Sequence, residues 1–154
     1  TQVDKMFHAR YNAKSKTYQY RILNRSIPAA ICRQYAWFVR KRLDVEAMRS
    51  AIVHIIGTHD FKAFEAAGSP RSHTTRCIME ANLIDDCTTG HLVFTIRADG
   101  FLRYMVRNIV GTLVDVGFGE ITPDGFREIL LSKNRGRAGA TAPAHGLFLM
   151  NVQY

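Results

Sequence analysis

The amino-acid sequence predicts an α+β fold, in which helices cover one face of a largely antiparallel sheet. Five segments have the composition or alternation of strands, and three others carry apolar residues at helical spacing. The core order is strand, helix, strand, strand, helix, strand, with one short extra strand and one extra helix. This is the ferredoxin-like βαββαβ arrangement, an α/β sandwich. The 154 residues contain no linker or internal repeat, and we expect a single domain, residues 1–154.

The first half of the chain predicts two strands followed by a helix. Residues 7–23 alternate as a long strand rich in Tyr, Thr and Ile, and residues 35–39 form a short aromatic strand. Asp44 has the side chain of a helix N-cap, and Gly57 is a C-terminal stop. Between them, five apolar residues recur at helical spacing: Val45, Met48, Ile52, Ile55 and Ile56. This helix therefore has one buried face.

A hairpin and a second helix follow. Residues 77–84 and 92–96 predict two strands joined by the loop DDCTTG, in which Gly90 can adopt a positive φ. The segment FLRYMVRNIVGTLVDVG then predicts an amphipathic helix over residues 102–117. Gly111 lowers the propensity of that helix, which a close packing contact would justify.

The last third predicts a further helix, a loop and a final strand. Thr122 before Pro123 indicates a helix start, and this helix ends near Asn134. The basic segment KNRGRAGATAPAHG is rich in Gly and Ala and predicts a loop. The segment LFLMNVQY predicts a strand that brings the C-terminus into the sheet.

The net charge indicates the class of partner. Twenty-one Lys and Arg against thirteen Asp and Glu give a formal charge of +8 and a pI near 9.8. Such a balance favours a polyanionic partner, with nucleic acid the leading candidate. The alternative, a basic surface that is simply solvated, stays open on charge alone. No stretch approaches the ~20 apolar residues that span a bilayer, and no signal peptide is apparent.

The cysteines and histidines argue against a disulfide framework or a metal site. Cys32, Cys77 and Cys87 are odd in number, far apart and outside any C-x-x-C pair. His54 and His59 have no cysteine or carboxylate at a familiar ligand spacing. We therefore expect no metal, and a reducing, cytoplasmic setting fits best.

The segment FHARYNAKSKTYQYRI, residues 7–22, gathers cations and a tyrosine at even-numbered positions. Side chains two residues apart share one face of an unbroken strand, so Arg10, Lys14, Lys16 and Tyr18 would be aligned. The cations would then hold phosphates while the ring stacks on a base. The alternative is a solvated strand face whose tyrosine covers the sheet.

Two arginines flank the apolar stripe of the 102–117 helix. Arg103 and Arg107 lie one turn apart, and Arg107 lies further inside the helix. An arginine at the edge of a buried face binds a carboxylate or phosphate with its planar fork, or packs its stem while its head stays in solvent. The usual RNA-recognition signature is absent, because the third core strand reads GHLVFTIRADGF.

Four segments together resemble the TruA family of tRNA pseudouridine synthases. They are FHARYNAKSKTYQYRI, GTHDFKAF, FLRYMVRNIVGTLVDVG and TAPAHGLFLMNVQY, in the order and at the separations that the family shows. The resemblance implies a cofactor-free isomerase that converts uridine to pseudouridine at nucleotides 38 to 40 of the anticodon stem-loop. It also implies a homodimer whose subunits each contain two α/β halves side by side.

The resemblance also implies roles for three residues. Tyr18 matches the active-site tyrosine, Arg107 in MVRNIVG matches the arginine that pairs with a catalytic aspartate, and Leu147 in HGLFL matches the apolar wall of the uracil pocket. The family's aspartate lies in an Arg-Thr-Asp-x-Gly-Val-His-Ala stretch, which this sequence lacks. We therefore expect the C-terminal half of such an enzyme, without the N-terminal half and inactive alone. The alternative is a non-catalytic basic RNA-binding domain.

Overall fold

The structure, a computed structural model, describes residues 12–69 and 73–154. These residues form six strands and three α-helices. In chain order they are β1 (Ser15–Asn24), β2 (Trp37–Val39), α1 (Val45–Ile52), β3 (Gly57–Asp60), β4 (Thr75–Asp86), β5 (His91–Ala98), α2 (Met105–Gly117), α3 (Pro123–Ser132) and β6 (Leu147–Gln153). The predicted α+β class is confirmed.

All six strands belong to one sheet, in which β1 pairs with three other strands. Along one edge β1 pairs with β5, which continues to β4 and β3, and all of these pairings are antiparallel. Along its other edge β1 pairs with two strands, antiparallel with β6 near its start and parallel with β2 near its end. The order β6-β1-β5-β4 is that of the predicted ferredoxin-like core.

One cluster of buried side chains joins the sheet to the helices. In β5 every second residue is buried, namely Leu92, Phe94, Ile96 and Ala98. The apolar faces of the three helices contribute to the same cluster. Burial of this apolar surface provides the main driving force for the fold.

The two predicted N-caps are present, but Gly57 begins β3 instead of ending α1, and several element boundaries differ from the predictions. Asp44 accepts a hydrogen bond from the Ala47 amide (2.9 Å), and Thr122 accepts one from the Gly125 amide (3.0 Å). Strand β1 begins at Ser15 rather than at residue 7; the part of that prediction before residue 12 lies outside the described residues. Helix α1 ends at Ile52 and is followed by a short 3-10 turn.

Strand β3 was not predicted, because its four residues carry no alternation of apolar side chains. It pairs with β4 at the edge of the sheet, and this pairing depends on backbone hydrogen bonds, which form without a buried apolar face.

Among the described residues, no helix is long and apolar enough to cross a membrane. Cys32, Cys77 and Cys87 all carry free thiols.

The segment between α3 and β6 includes residues 138–143, which lie directly on α2 and are called the strap below. A Cβ atom on Gly111 would lie 1.7 Å from the Ala140 carbonyl oxygen, so only glycine allows this approach. The Gly139 amide donates to the Thr112 hydroxyl (2.9 Å), and the Ala142 amide donates to the Arg107 carbonyl (3.1 Å). The close packing contact predicted for Gly111 is therefore confirmed.

Replacing Gly111 with alanine should displace the strap. Because the clash is with backbone rather than with a flexible side chain, we expect a loss of about 1 to 3 kcal/mol in the free energy of unfolding. Equilibrium unfolding in urea measures this loss. Gly125→Ala is the matched control, since a Cβ there meets only side-chain atoms, at 3.2 Å, and alanine favours the helix. Equal stability of the two variants would contradict the packing role of Gly111.

Candidate active site

The even-numbered side chains of β1 share one face, as the alternation predicted. Pairing with β5 runs without a bulge from Lys16 to Leu23, and the even positions stand opposite buried residues of β5. The bulge on the other edge of β1 lies in β6, where Met150 is the extra residue. The shared face is therefore the one that the helices cover, and it opens to solvent toward the start of the strand.

Tyr18 lies at this open end of the core. Its ring packs edge-on against Phe101, with centroids 5.1 Å apart and an interplanar angle of 89°. The side chain is half-buried and contacts the hydrophobic core. Tyr18 is thus not on a solvated sheet face, and its ring remains partly accessible to a ligand.

Tyr20 is the second tyrosine of this face and is fully buried. Its hydroxyl donates a hydrogen bond to the Pro143 carbonyl (2.6 Å), so it holds the end of the strap. Burial raises the pKa of Tyr20 far above its ordinary value, although the positive charge of Arg107 acts in the opposite direction. Tyr20 consequently remains protonated at neutral pH and serves as a hydrogen-bond donor.

Arg107 is fixed between α2 and the strap. Its Nε donates to the Ala142 carbonyl (2.6 Å), while the Ala142 amide donates back to the Arg107 carbonyl. Its guanidinium also lies over the ring of Tyr104, 4.8 Å from the centroid. Within the described part of the chain its side-chain hydrogen bond runs through Nε, so the two terminal nitrogens can bind a further acceptor such as a carboxylate.

Leu147 begins β6 directly opposite Tyr20 and is half-buried against the core. Tyr18, Arg107 and Leu147 therefore all lie around Tyr20. Tyr18 is two residues away on the same strand face, and Leu147 is the cross-strand partner of Tyr20. Arg107 Nε binds the Ala142 carbonyl, next to the Pro143 carbonyl that accepts from the Tyr20 hydroxyl. The fold thus brings together three residues that are distant in the sequence.

The predicted cationic residues lie in different surroundings. Lys14 precedes β1, is exposed, and its Nζ donates to the Tyr154 backbone oxygen (3.1 Å). Lys16 is half-buried in β1, opposite Ala98. Arg10 lies outside the described residues. Arg103 precedes α2 instead of lying within it, because Tyr104 adopts a left-handed conformation (φ 62°) and serves as the N-cap.

A buried polar junction behind the site was not predicted. Asn108 is fully buried in the apolar stripe of α2, and its Nδ2 donates to the Phe64 carbonyl (2.7 Å). Its Oδ1 accepts from the Thr141 hydroxyl (2.6 Å) and from Arg135 Nη2 (3.1 Å). Arg135 Nη1 also donates to the carbonyls of Ala138 (3.2 Å) and Gly139 (3.0 Å). This junction fixes the strap, and therefore the carbonyl that orients Arg107.

Comparisons with known proteins identify relatives of this chain. A family model described as tRNA pseudouridine synthase matches residues 51–154. The tRNA pseudouridine synthase A of Moorella thermoacetica is 45% identical over 96% of this chain and 59% of its own length. Those of Acetivibrio thermocellus and Bacillus subtilis are 45% and 44% identical over 99% and 98% of the chain. The chain spans 59 to 62% of the length of these relatives.

Replacing Thr141 with valine should loosen the strap. Valine keeps the shape but removes the hydroxyl, which leaves Asn108 without one donor and Arg135 without one acceptor. We expect a loss of about 1 to 3 kcal/mol in the free energy of unfolding. Cleavage by a nonspecific protease should become faster within residues 138–143. Thr141→Ser retains the hydroxyl and is the control; if valine and serine behave alike, the hydroxyl does not hold the strap.

Proposed function

The chain belongs to the tRNA pseudouridine synthase family, and we propose that it forms one wall of an active site that isomerises uridine in tRNA. The observation that carries this proposal is the placement of Arg107, whose guanidinium is anchored through Nε while its terminal nitrogens can bind another group. The paired strands β1 and β6 carry a partly accessible aromatic ring, Tyr18, and an apolar side chain, Leu147, which support the proposal. This combination suits a flipped pyrimidine next to an anion.

The reaction is an isomerisation, so its product has the same atoms as its substrate. The bond between N1 of uracil and C1′ of the ribose breaks, the base turns, and C5 bonds to C1′. The C5 proton is released and N1 gains a proton. Such chemistry requires a carboxylate beside the nucleotide, a ring over the base and an apolar surface that excludes water.

We assign the carboxylate to an aspartate in a part of the protein that precedes these residues. Arg107 would pair with it, which keeps the carboxylate ionised by lowering its pKa and fixes its direction. The reciprocal bonds between Arg107 and Ala142 support this role, because they restrict the guanidinium before the partner arrives. The half of the active site in this chain is thus preorganised by the strap.

Tyr18 and Leu147 would hold the base. The ring of Tyr18 stacks on the uracil, and its hydroxyl assists in removing the C5 proton. Leu147 supplies the opposing apolar surface.

The anticodon stem-loop, nucleotides 38 to 40, is the proposed substrate because of the resemblance of four segments to the TruA family. Lys14, Lys16 and Arg10 would lie near the phosphates of that RNA, in keeping with the formal charge of +8.

The complete protein is further proposed to be a cytoplasmic homodimer. Three free thiols are consistent with a reducing compartment. Ile27 and Ile31 are 70% and 78% exposed, which is apolar surface that another part of the assembly would cover. Sedimentation equilibrium of the complete protein tests the dimer, and a monomer at micromolar concentration would contradict it.

Replacing Tyr18 with phenylalanine in the complete protein separates stacking from proton transfer. The ring remains, so the KM for tRNA should change little. If the hydroxyl takes part in proton removal, kcat should fall by about 100-fold or more. The assay is release of tritium from C5 of uridine in tRNA. Tyr35→Phe, on an exposed tyrosine that packs against Phe148, is the control. Full activity of the Tyr18 variant would exclude a role in proton transfer.

The 154-residue chain alone should bind tRNA without converting it. Its affinity should fall as the salt concentration rises, because Lys and Arg displace counterions from the phosphates. Tritium release by the isolated chain would contradict the proposed external carboxylate. Absence of release from the complete protein as well would favour the alternative function, a non-catalytic basic RNA-binding domain.

A further inference from the structure

Tyr104 is a large aromatic residue on the surface beside the candidate active site. It lies immediately before α2, and 44% of its surface is exposed. It also has a φ of 62°, a conformation that glycine and asparagine adopt more readily than a bulky residue. An exposed aromatic ring held in such a conformation contributes little to the core, and residues of this kind cluster at functional sites.

Two guanidinium groups lie over this ring. The Cζ atoms of Arg103 and Arg107 lie 4.9 and 4.8 Å from the ring centroid. Arg103 Nη2 donates to the Tyr104 hydroxyl (3.4 Å), and this hydrogen bond together with the positive charge of Arg103 lowers the pKa of Tyr104. The ring and the two cations therefore form one cluster, which we call the Tyr104 cluster: Arg103, Tyr104 and Arg107.

Three hydrogen bonds fix the backbone around the cluster. The Ala66 amide donates to the Arg103 carbonyl (2.9 Å), the Met105 amide to the Leu102 carbonyl (3.1 Å), and the Asn108 amide to the Tyr104 carbonyl (2.9 Å). A ring presented in this way loses little conformational freedom when a ligand binds. The surface is therefore preorganised.

The cluster is continuous with the proposed uridine pocket. Arg107 belongs to both, and Phe101, three residues before Tyr104, packs against Tyr18. We therefore expect a nucleotide that neighbours a uridine at Tyr18 to reach Tyr104. A base has a flat π-face for the ring and carries a phosphate for the guanidinium groups, so its chemistry matches both parts of the cluster.

We propose that Tyr104 is a stacking site for an unpaired nucleobase that flanks the target uridine, with Arg103 beside the phosphate of that nucleotide. The proposal rests on the proposed function for the identity of the RNA. It adds a second base-binding position to the one at Tyr18. Stacking on an aromatic ring tolerates any base, so this position contributes affinity and register without a strong sequence requirement.

The test uses the complete protein and an anticodon stem-loop RNA with the fluorescent base 2-aminopurine on the 5′ or the 3′ side of the target uridine. Tyr104→Asn removes the ring while suiting the left-handed backbone, and Tyr104→Phe retains the ring. Tyr35→Asn is the control at another exposed tyrosine. Unmodified protein and Tyr104→Phe should quench one of the two RNAs on binding. Tyr104→Asn should lose that quenching and raise the dissociation constant about 5- to 150-fold.

Two outcomes would overturn the proposal. Quenching and affinity that are unchanged in Tyr104→Asn would show that no base stacks there. A loss of kcat with unchanged quenching and affinity would show that Tyr104 only positions Arg107. The binding measurement does not require turnover, so failure of the proposed function, seen as no tritium release by the unmodified protein, is distinguished from failure of the stacking site.

Discussion

The docking of the strap on α2 determines the geometry of the candidate site. At Gly111 the backbone of residues 138–143 approaches the helix so closely that no side chain would fit. Two carbonyls of the strap, those of Ala142 and Pro143, are then directed inward, one to Arg107 Nε and one to the Tyr20 hydroxyl. Strand β6 starts only four residues after Pro143, so the same contact fixes Leu147. A defect in this docking would therefore affect the positions of Arg107, Tyr20 and Leu147 together.

The two tyrosines of β1 have different roles because of where the helices end. Tyr20 is sealed in the core and is used to hold the strap, whereas Tyr18 lies where the core opens and keeps part of its ring accessible. The alternation of the strand places both on one face. Exposure to solvent then distinguishes a structural tyrosine from one that a ligand can reach.

Periodicity and capping signals were sufficient to predict the fold class and most of its elements. They failed where the backbone depends on distant contacts. The start of α2 shifted because Tyr104 is held in a left-handed conformation, and β3 was missed because an edge strand needs no apolar alternation. The buried junction joins Asn108 to Arg135 and Thr141, which lie 27 and 33 positions further along the chain, in contacts that spacing does not reveal. The available signal for this junction was Asn108, a polar residue within the apolar stripe of the predicted helix. For Tyr18 and Arg107 the residue pattern indicated candidate chemistry, and the resemblance to a family supplied their specific roles. Leu147 was identified through the resemblance alone.

The most direct test of the central claim is the structure of the complete protein bound to an anticodon stem-loop. If the strap preorganises half of a shared active site, a uracil will lie between the ring of Tyr18 and Leu147. The terminal nitrogens of Arg107 will then donate to a carboxylate from the preceding part of the protein, while Nε still donates to Ala142. A uracil bound elsewhere, or an Arg107 that leaves the strap to bind a phosphate, would contradict this account.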